Sequence, residues 1–120
     1  MAEQDPKELI FSGITIYADK NSTRAKKYFE KACELNDSDG CVILGDIYHN
    51  GGSVTKNFKK SFEHHSKDCG LNEAKGCYAL AALYNEAKGT AKDEKQMTES
   101  LKKACGLGLK EACGILKEQK

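Results

Sequence analysis

Apolar residues along this chain recur at helical intervals in one segment after another, and no stretch shows the two-residue alternation of a strand. Asp5-Pro6 has the form of an N-cap with proline at the first helical position. Leu9, Ile10, Gly13, Ile16 and Tyr17 then predict a first helix over residues 6–19. The polar turn Asp19-Lys20-Asn21-Ser22 caps a second helix with Ala25, Tyr28, Phe29, Ala32 and Cys33 on one side. Cys41, Leu44, Ile47 and Tyr48 define a third, ending near Asn50-Gly51-Gly52, and Phe58, Phe62, His65 and Cys69 define a fourth over residues 57–71. Cys77, Leu80, Leu83 and Tyr84 belong to a fifth, closed by Lys88-Gly89-Thr90, and Met97, Leu101, Ala104 and Cys105 to a sixth. Residues 110–118, with Cys113, Ile115 and Leu116, add a short seventh helix that covers the last exposed face. The pattern predicts an all-α chain, an α/α solenoid of helical hairpins forming one domain over residues 1–120. Its repeats span about 5–40, 41–76 and 77–112, with 110–118 as the C-terminal covering helix.

The cysteines fix the period. All six are used at intervals of 8, 28, 8, 28 and 8, so the unit is 36 residues long. Zinc sites draw close pairs of the C-x-x-C kind, a spacing this chain lacks. Two positions eight apart on one uninterrupted helix stand ~12 Å apart along its axis, beyond disulfide reach. Each bracket must therefore enclose a chain reversal, and Asn36-Asp37-Ser38-Asp39-Gly40 and Asn72 to Gly76 have the residues that stop and restart helices. Disulfides are the favoured reading and buried free thiols the alternative. The repeat favours Cys33–Cys41, Cys69–Cys77 and Cys105–Cys113, with Leu9 at the position of Cys41 and Cys77 and no earlier cysteine to pair there.

Composition narrows the setting. Only 39% of residues are hydrophobic, there is no Trp, and Pro6 is the only proline. So lean a core gains from covalent staples. Nineteen basic and eighteen acidic side chains leave a net charge of +1, with lysines scattered through the helices. Nucleic acid and anionic membranes are poorly supported as partners. The longest apolar run, Tyr78 to Tyr84, is too short to cross a bilayer, so no membrane insertion is expected. Three disulfides point to an oxidising compartment, hence a secreted or periplasmic protein, and the start Met1-Ala2-Glu3-Gln4-Asp5-Pro6 fits a mature sequence without its signal peptide.

At this point the chain resembles the Sel-one-like repeat family, and more narrowly the Helicobacter cysteine-rich proteins. The residues that carry the resemblance are Leu44-Gly45-x-x-Tyr48-x-x-Gly51, Leu80-Ala81-x-x-Tyr84 with Lys88-Gly89-Thr90, and the endings Glu30 to Asn36 and Lys102 to Leu107. Ala81 and Ala87 stand where the pattern has glycine, and Ser61 and Met97 where Ala25 keeps a small residue. The resemblance implies a TPR-like superhelix of antiparallel helix pairs joined by disulfides, with the first helix of each pair lining the inner curve. It also implies either of two functions: penicillin binding or slow β-lactamase activity, or a protein-binding adaptor.

The residues favour the adaptor. A serine β-lactamase needs a Ser-x-x-Lys nucleophile with further Ser/Asn and Lys elements, and the matches Ser53 to Lys56 and Ser100 to Lys103 are about as many as chance supplies. His64 and His65 are adjacent and point to different sides of a helix, with His65 aligned to Phe29 and Leu101 and so expected to pack. No His-Glu-x-x-His occurs, and neither metal nor cofactor is expected. The variable positions on the implied inner face are Ile14, Tyr17, Asp46, His49, Asn50, Ala82, Asn85 and Glu86. Of these, Tyr17, Asp46, His49, Asn50, Asn85 and Glu86 are the candidate ligand contacts, against the alternative that such positions are solvated and free to drift. The expected function is a binding module for a protein, a peptide or a peptidoglycan-derived fragment, acting as a capped monomer.

Overall fold

A computed structural model describes residues 5–18, 22–51 and 56–118, without the side chains of residues 16–18, 22 and 23. Among them are seven helices and no strand: α1 Pro6–Ala18, α2 Ser22–Glu34, α3 Ser38–Asn50, α4 Phe58–Gly70, α5 Ala74–Glu86, α6 Glu94–Gly106 and α7 Lys110–Glu118. Each packs chiefly on its neighbours in the chain, and the molecule extends over 52 × 28 × 20 Å. This is the solenoid the periodicity predicts.

Local chemistry places the helix ends. The Lys7 N–H donates to Asp5 Oδ1 at 2.9 Å, so Pro6, with no N–H to lose, stands at the first helical position. Asp37, Asn57, Glu73 and Asp93 sit in extended conformation and accept from amides in the first turns of α3, α4, α5 and α6. Inside the hairpins, Asn36, Asn72 and Gly108 occupy one position of the turn with φ of 63°, 65° and 101°. Asn and Gly are the residues that tolerate this left-handed conformation, and its reversal sets α3 against α2, α5 against α4 and α7 against α6.

The reversals bring the cysteines together as the repeat predicts. Cys33–Cys41, Cys69–Cys77 and Cys105–Cys113 are disulfides, with Cα separations of 4.7, 4.4 and 4.8 Å. Among the described residues no cysteine is free.

The core comes in two blocks. One gathers Leu9, Ile10, Phe29, Leu44, Ile47 and Tyr48 around the first bridge, and the other gathers Leu80, Ala81, Leu101, Ala104 and Ala112 with the second. Between them lies α4, whose inward positions are Ser61, His65 and Asp68, all buried. The equivalent positions are Ala25, Phe29 and Ala32 on α2 and Met97, Leu101 and Ala104 on α6. A polar seam thus runs through the middle of an otherwise apolar array.

Two departures from the glycine pattern have visible effects. Ala81 shares a buried block with Leu101, whereas Gly45 faces the His65 ring and Gly13 faces Phe29. Ala87 ends α5 in the left-handed conformation, φ 54° and ψ 42°, whereas its glycine counterpart Gly51 takes φ 80° and ψ −120°.

Candidate functional site

On α3 the repeating residues Leu44, Ile47 and Tyr48 are buried, which leaves Asp46 and Asn50 exposed and His49 half-buried. α5 repeats the division, with Leu80 and Leu83 buried and Ala82, Asn85 and Glu86 exposed. Helical spacing forces this separation, because positions three and four apart share a face.

The C-terminal ends of α3 and α5 meet around Phe58, the first residue of α4. The His49 ring is tilted against it at 5.4 Å between centroids, and the Lys88 and Lys56 ammoniums lie 5.0 and 5.6 Å from its centroid. Lys88 Nζ also pairs with Glu86 Oε2 at 2.7 Å. That hydrogen bond holds the Glu86 carboxyl below its ordinary range, with the nearby His49 adding to the effect. Asp46 goes the other way: its side chain is largely exposed, but partial desolvation beside the buried His65, whose Nε2 is 3.6 Å from Asp46 Oδ1, raises it, opposed by His49 and Lys75. His49 Nδ1 lies 3.3 Å from Asn50 Oδ1. Asp46, His49, Asn50 and Glu86 therefore share one junction.

Asn85 belongs to a neighbouring feature. With Tyr78, Ala82, Met97, Leu101 and Ile115 it lines a cavity of about 210 Å³ between α5, α6 and α7. Asn85 and Tyr78 are the lining residues that carry polar side-chain groups, and the others are apolar. Tyr17 lies in the last turn of α1, and its side chain is outside the described residues.

The remaining histidines have packing roles. His65 is 2% exposed, and burial pushes it down to about 4, so it is neutral near pH 7. His64 turns outward and stacks on Tyr48 at 5.6 Å, and burial lowers it too. Ser100 is buried in mid-α6 while Lys103 is exposed, so this Ser-x-x-Lys pair does not converge on a cavity. Ser53 lies outside the described residues. No group of three or more His, Cys, Asp or Glu side chains suited to a metal ion occurs among the described residues.

Sequence reasoning missed three groups: Phe58 as the post of the junction, Tyr78, Met97 and Ile115 as cavity walls, and Asp68. For Asp68 the signal was present, since an aspartate there interrupts the alanine column of Ala32 and Ala104.

Fold and site together define a disulfide-stapled α/α repeat protein with a variable face on its leading helices. The Sel1 repeat pattern matches residues 8–37, 38–67 and 74–96. The chain belongs to the Sel1 repeat family, and its homologues are the cysteine-rich Hcp proteins of Helicobacter pylori. The solved Helicobacter pylori cysteine rich protein B is 42% identical with a TM-score of 0.80, covering 88% of this chain and 81% of that one. A curated relative from the same species, named "Putative beta-lactamase HcpC", is 55% identical over 60 residues, which is 50% of this chain and 21% of the relative. The match thus spans about a fifth of that relative's length. A Sel1 repeat protein from Oxalobacter formigenes, 23% identical, shares the fold with a TM-score of 0.89 over 93% of this chain and 48% of that one. Three disulfides and these homologues mark an extracytoplasmic protein. No described helix is long and apolar enough to cross a membrane.

Proposed function

We propose that this secreted or periplasmic protein is a binding module whose α3–α5 face holds a protein segment, a peptide or a peptidoglycan-derived fragment. The observation that carries the reading is the contrast within α3 and α5: packing positions repeat as Leu44/Leu80 and Tyr48/Tyr84, while outward ones change as Asp46/Ala82, His49/Asn85 and Asn50/Glu86. An array that repeats its packing and varies its face is built for recognition. The charged junction and the apolar cavity adjoin through Glu86 and Asn85, so an extended ligand would meet carboxylates at one end and an apolar recess at the other.

The test is calorimetric titration with soluble muropeptides and with an unstructured peptide library, on the parent chain and on His49→Ala and Asn85→Ala. Saturable binding weakened at least fivefold by each change, with thermal stability unaltered, supports the module. Binding that both changes leave intact refutes this face as the site.

A second reading, penicillin binding or slow β-lactam hydrolysis, is supported by the name of the curated relative. Covalent labelling by a fluorescent penicillin, lost in Ser53→Ala or Ser100→Ala, would replace the first reading.

A further inference from the structure

The polar seam on α4 ends in a group the fold leaves alone. Asp68 is fully buried, and neither carboxylate oxygen has a hydrogen-bond partner among the described residues. It stands one residue before Cys69, directly against α5, where a Cβ added at Gly76 would lie 2.7 Å from Asp68 Cγ. In the flanking hairpins, methyl groups fill this place: Ala32 faces Gly40, and Ala104 pairs with Ala112.

The surroundings oppose a charge. Asp39 and Asp46 on α3, Asp37 in the turn before it and Glu73 at the head of α5 all act on Asp68 with the same sign. The cations of the region are engaged elsewhere. Lys7 Nζ pairs with Asp37 and Asp39 at 2.9 and 3.0 Å, Lys67 Nζ donates to the Cys33 carbonyl at 2.7 Å, and Lys75 on α5 acts on Asp46. On α4 itself, His64 and His65 are within about a turn, and burial lowers the pKa of both, His65 to about 4.

We propose that Asp68 is a proton-controlled clasp at the central joint of the array: as the neutral acid it fits between α4 and α5, and loss of its proton loosens the hairpin and uncouples the two core blocks. An unpaired carboxylate in such a place is among the costliest things a core can hold. Burial, reinforced by the four neighbouring carboxylates, accordingly raises its pKa to about 8. The native state then keeps a proton that the unfolded chain releases, so stability falls as pH rises from 3.8 towards 8 and is constant above that. Between pH 4 and 6.5 the buried His65 works in the opposite direction, so the clasp shows undisturbed between 6.5 and 8.

The experiment is urea unfolding of the disulfide-intact protein at pH 6.5 and pH 8, on the parent chain, Asp68→Asn and Asp68→Ala, with hydrogen exchange of α4 and α5 amides at both pH values. The parent's unfolding constant should rise on the order of tenfold across this window, while both variants stay flat. Exchange in α4 and α5, corrected for its intrinsic pH dependence, should quicken with pH in the parent alone. Asn keeps the shape of the acid, and Ala restores the residue of the neighbouring hairpins, so a folding defect in one leaves the other informative. Equal slopes in parent and variants, or a parent whose α4 and α5 exchange follows only the intrinsic pH dependence, would overturn the proposal.

Discussion

Gly45 faces a ring that cannot move away. A Cβ placed there would meet the His65 imidazole within 2.5 Å of Cε1 and 2.8 Å of Cδ2, and His65 is 2% exposed with packed neighbours on all sides. The Gly45 carbonyl also accepts a 2.8 Å hydrogen bond from Ser61 Oγ, which fixes α3 against α4 at the same level. Overpacking of this kind costs ~1–3 kcal/mol. Replacing a mid-helix glycine by alanine returns up to ~1 kcal/mol through helix propensity. Gly45→Ala should therefore lose about 1–2 kcal/mol net. The chain contains its own control, because Ala81 and Leu101 occupy the equivalent positions and are buried in the same core block. His65→Leu combined with Gly45→Ala recreates that pair, removes an imidazole whose buried Nδ1 has no partner among the described residues, and should recover most of the loss. The double-mutant cycle, read by urea unfolding at pH 7.5, should give a coupling of at least ~1 kcal/mol. A Gly45→Ala penalty that is the same in the parent chain and in the His65→Leu variant would show that the ring is not the cause.

Three further outcomes follow from the same structure. Replacing both members of the Cys69–Cys77 pair by serine opens a loop of about nine residues and should cost ~2.6 kcal/mol in the chain-entropy model, read by thermal unfolding against the parent under non-reducing conditions. His65 is neutral in the fold with its pKa lowered to about 4, so its contribution to stability falls as pH drops from 6.5 towards 4 while that of Asp68 rises over the same range; the parent should be nearly flat there, and His65→Leu should leave stability climbing as pH drops in urea titrations. Ala87 holds a left-handed conformation at φ 54°, and Ala87→Gly should raise stability by ~0.5–1 kcal/mol in the same titrations despite the entropy glycine adds to the unfolded chain.

Much of the site was legible from sequence because it lies on regular helices. Asp46, His49 and Asn50 are exposed or half-exposed because Leu44, Ile47 and Tyr48 claim the buried face, and that follows from spacing alone. His65 was assigned to the core from its alignment with Phe29 and Leu101, and it is buried. The junction around Phe58 was not legible, since it depends on where the loop carrying Lys88 and Gly89 passes α4. The cavity was not legible either, because Ile115 reaches it from a helix some thirty residues along the chain from Asn85.

What the sequence determined by itself is the periodic part. Helix faces, turn residues and the eight-residue cysteine bracket are local properties, and each unit repeats them, so the seven helices of the described residues and the three bridges follow from short-range rules. What only the tertiary structure decided is how the irregular residues are spent: Asp68 as an unpaired acid against Gly76, His65 against Gly45, and Asn85 on an apolar recess. Their environments are made by neighbouring repeats, and burial and charge are sums over everything nearby in space. A sequence pattern can say that a residue departs from its column, but the cost of that departure is set by the side chains packed around it.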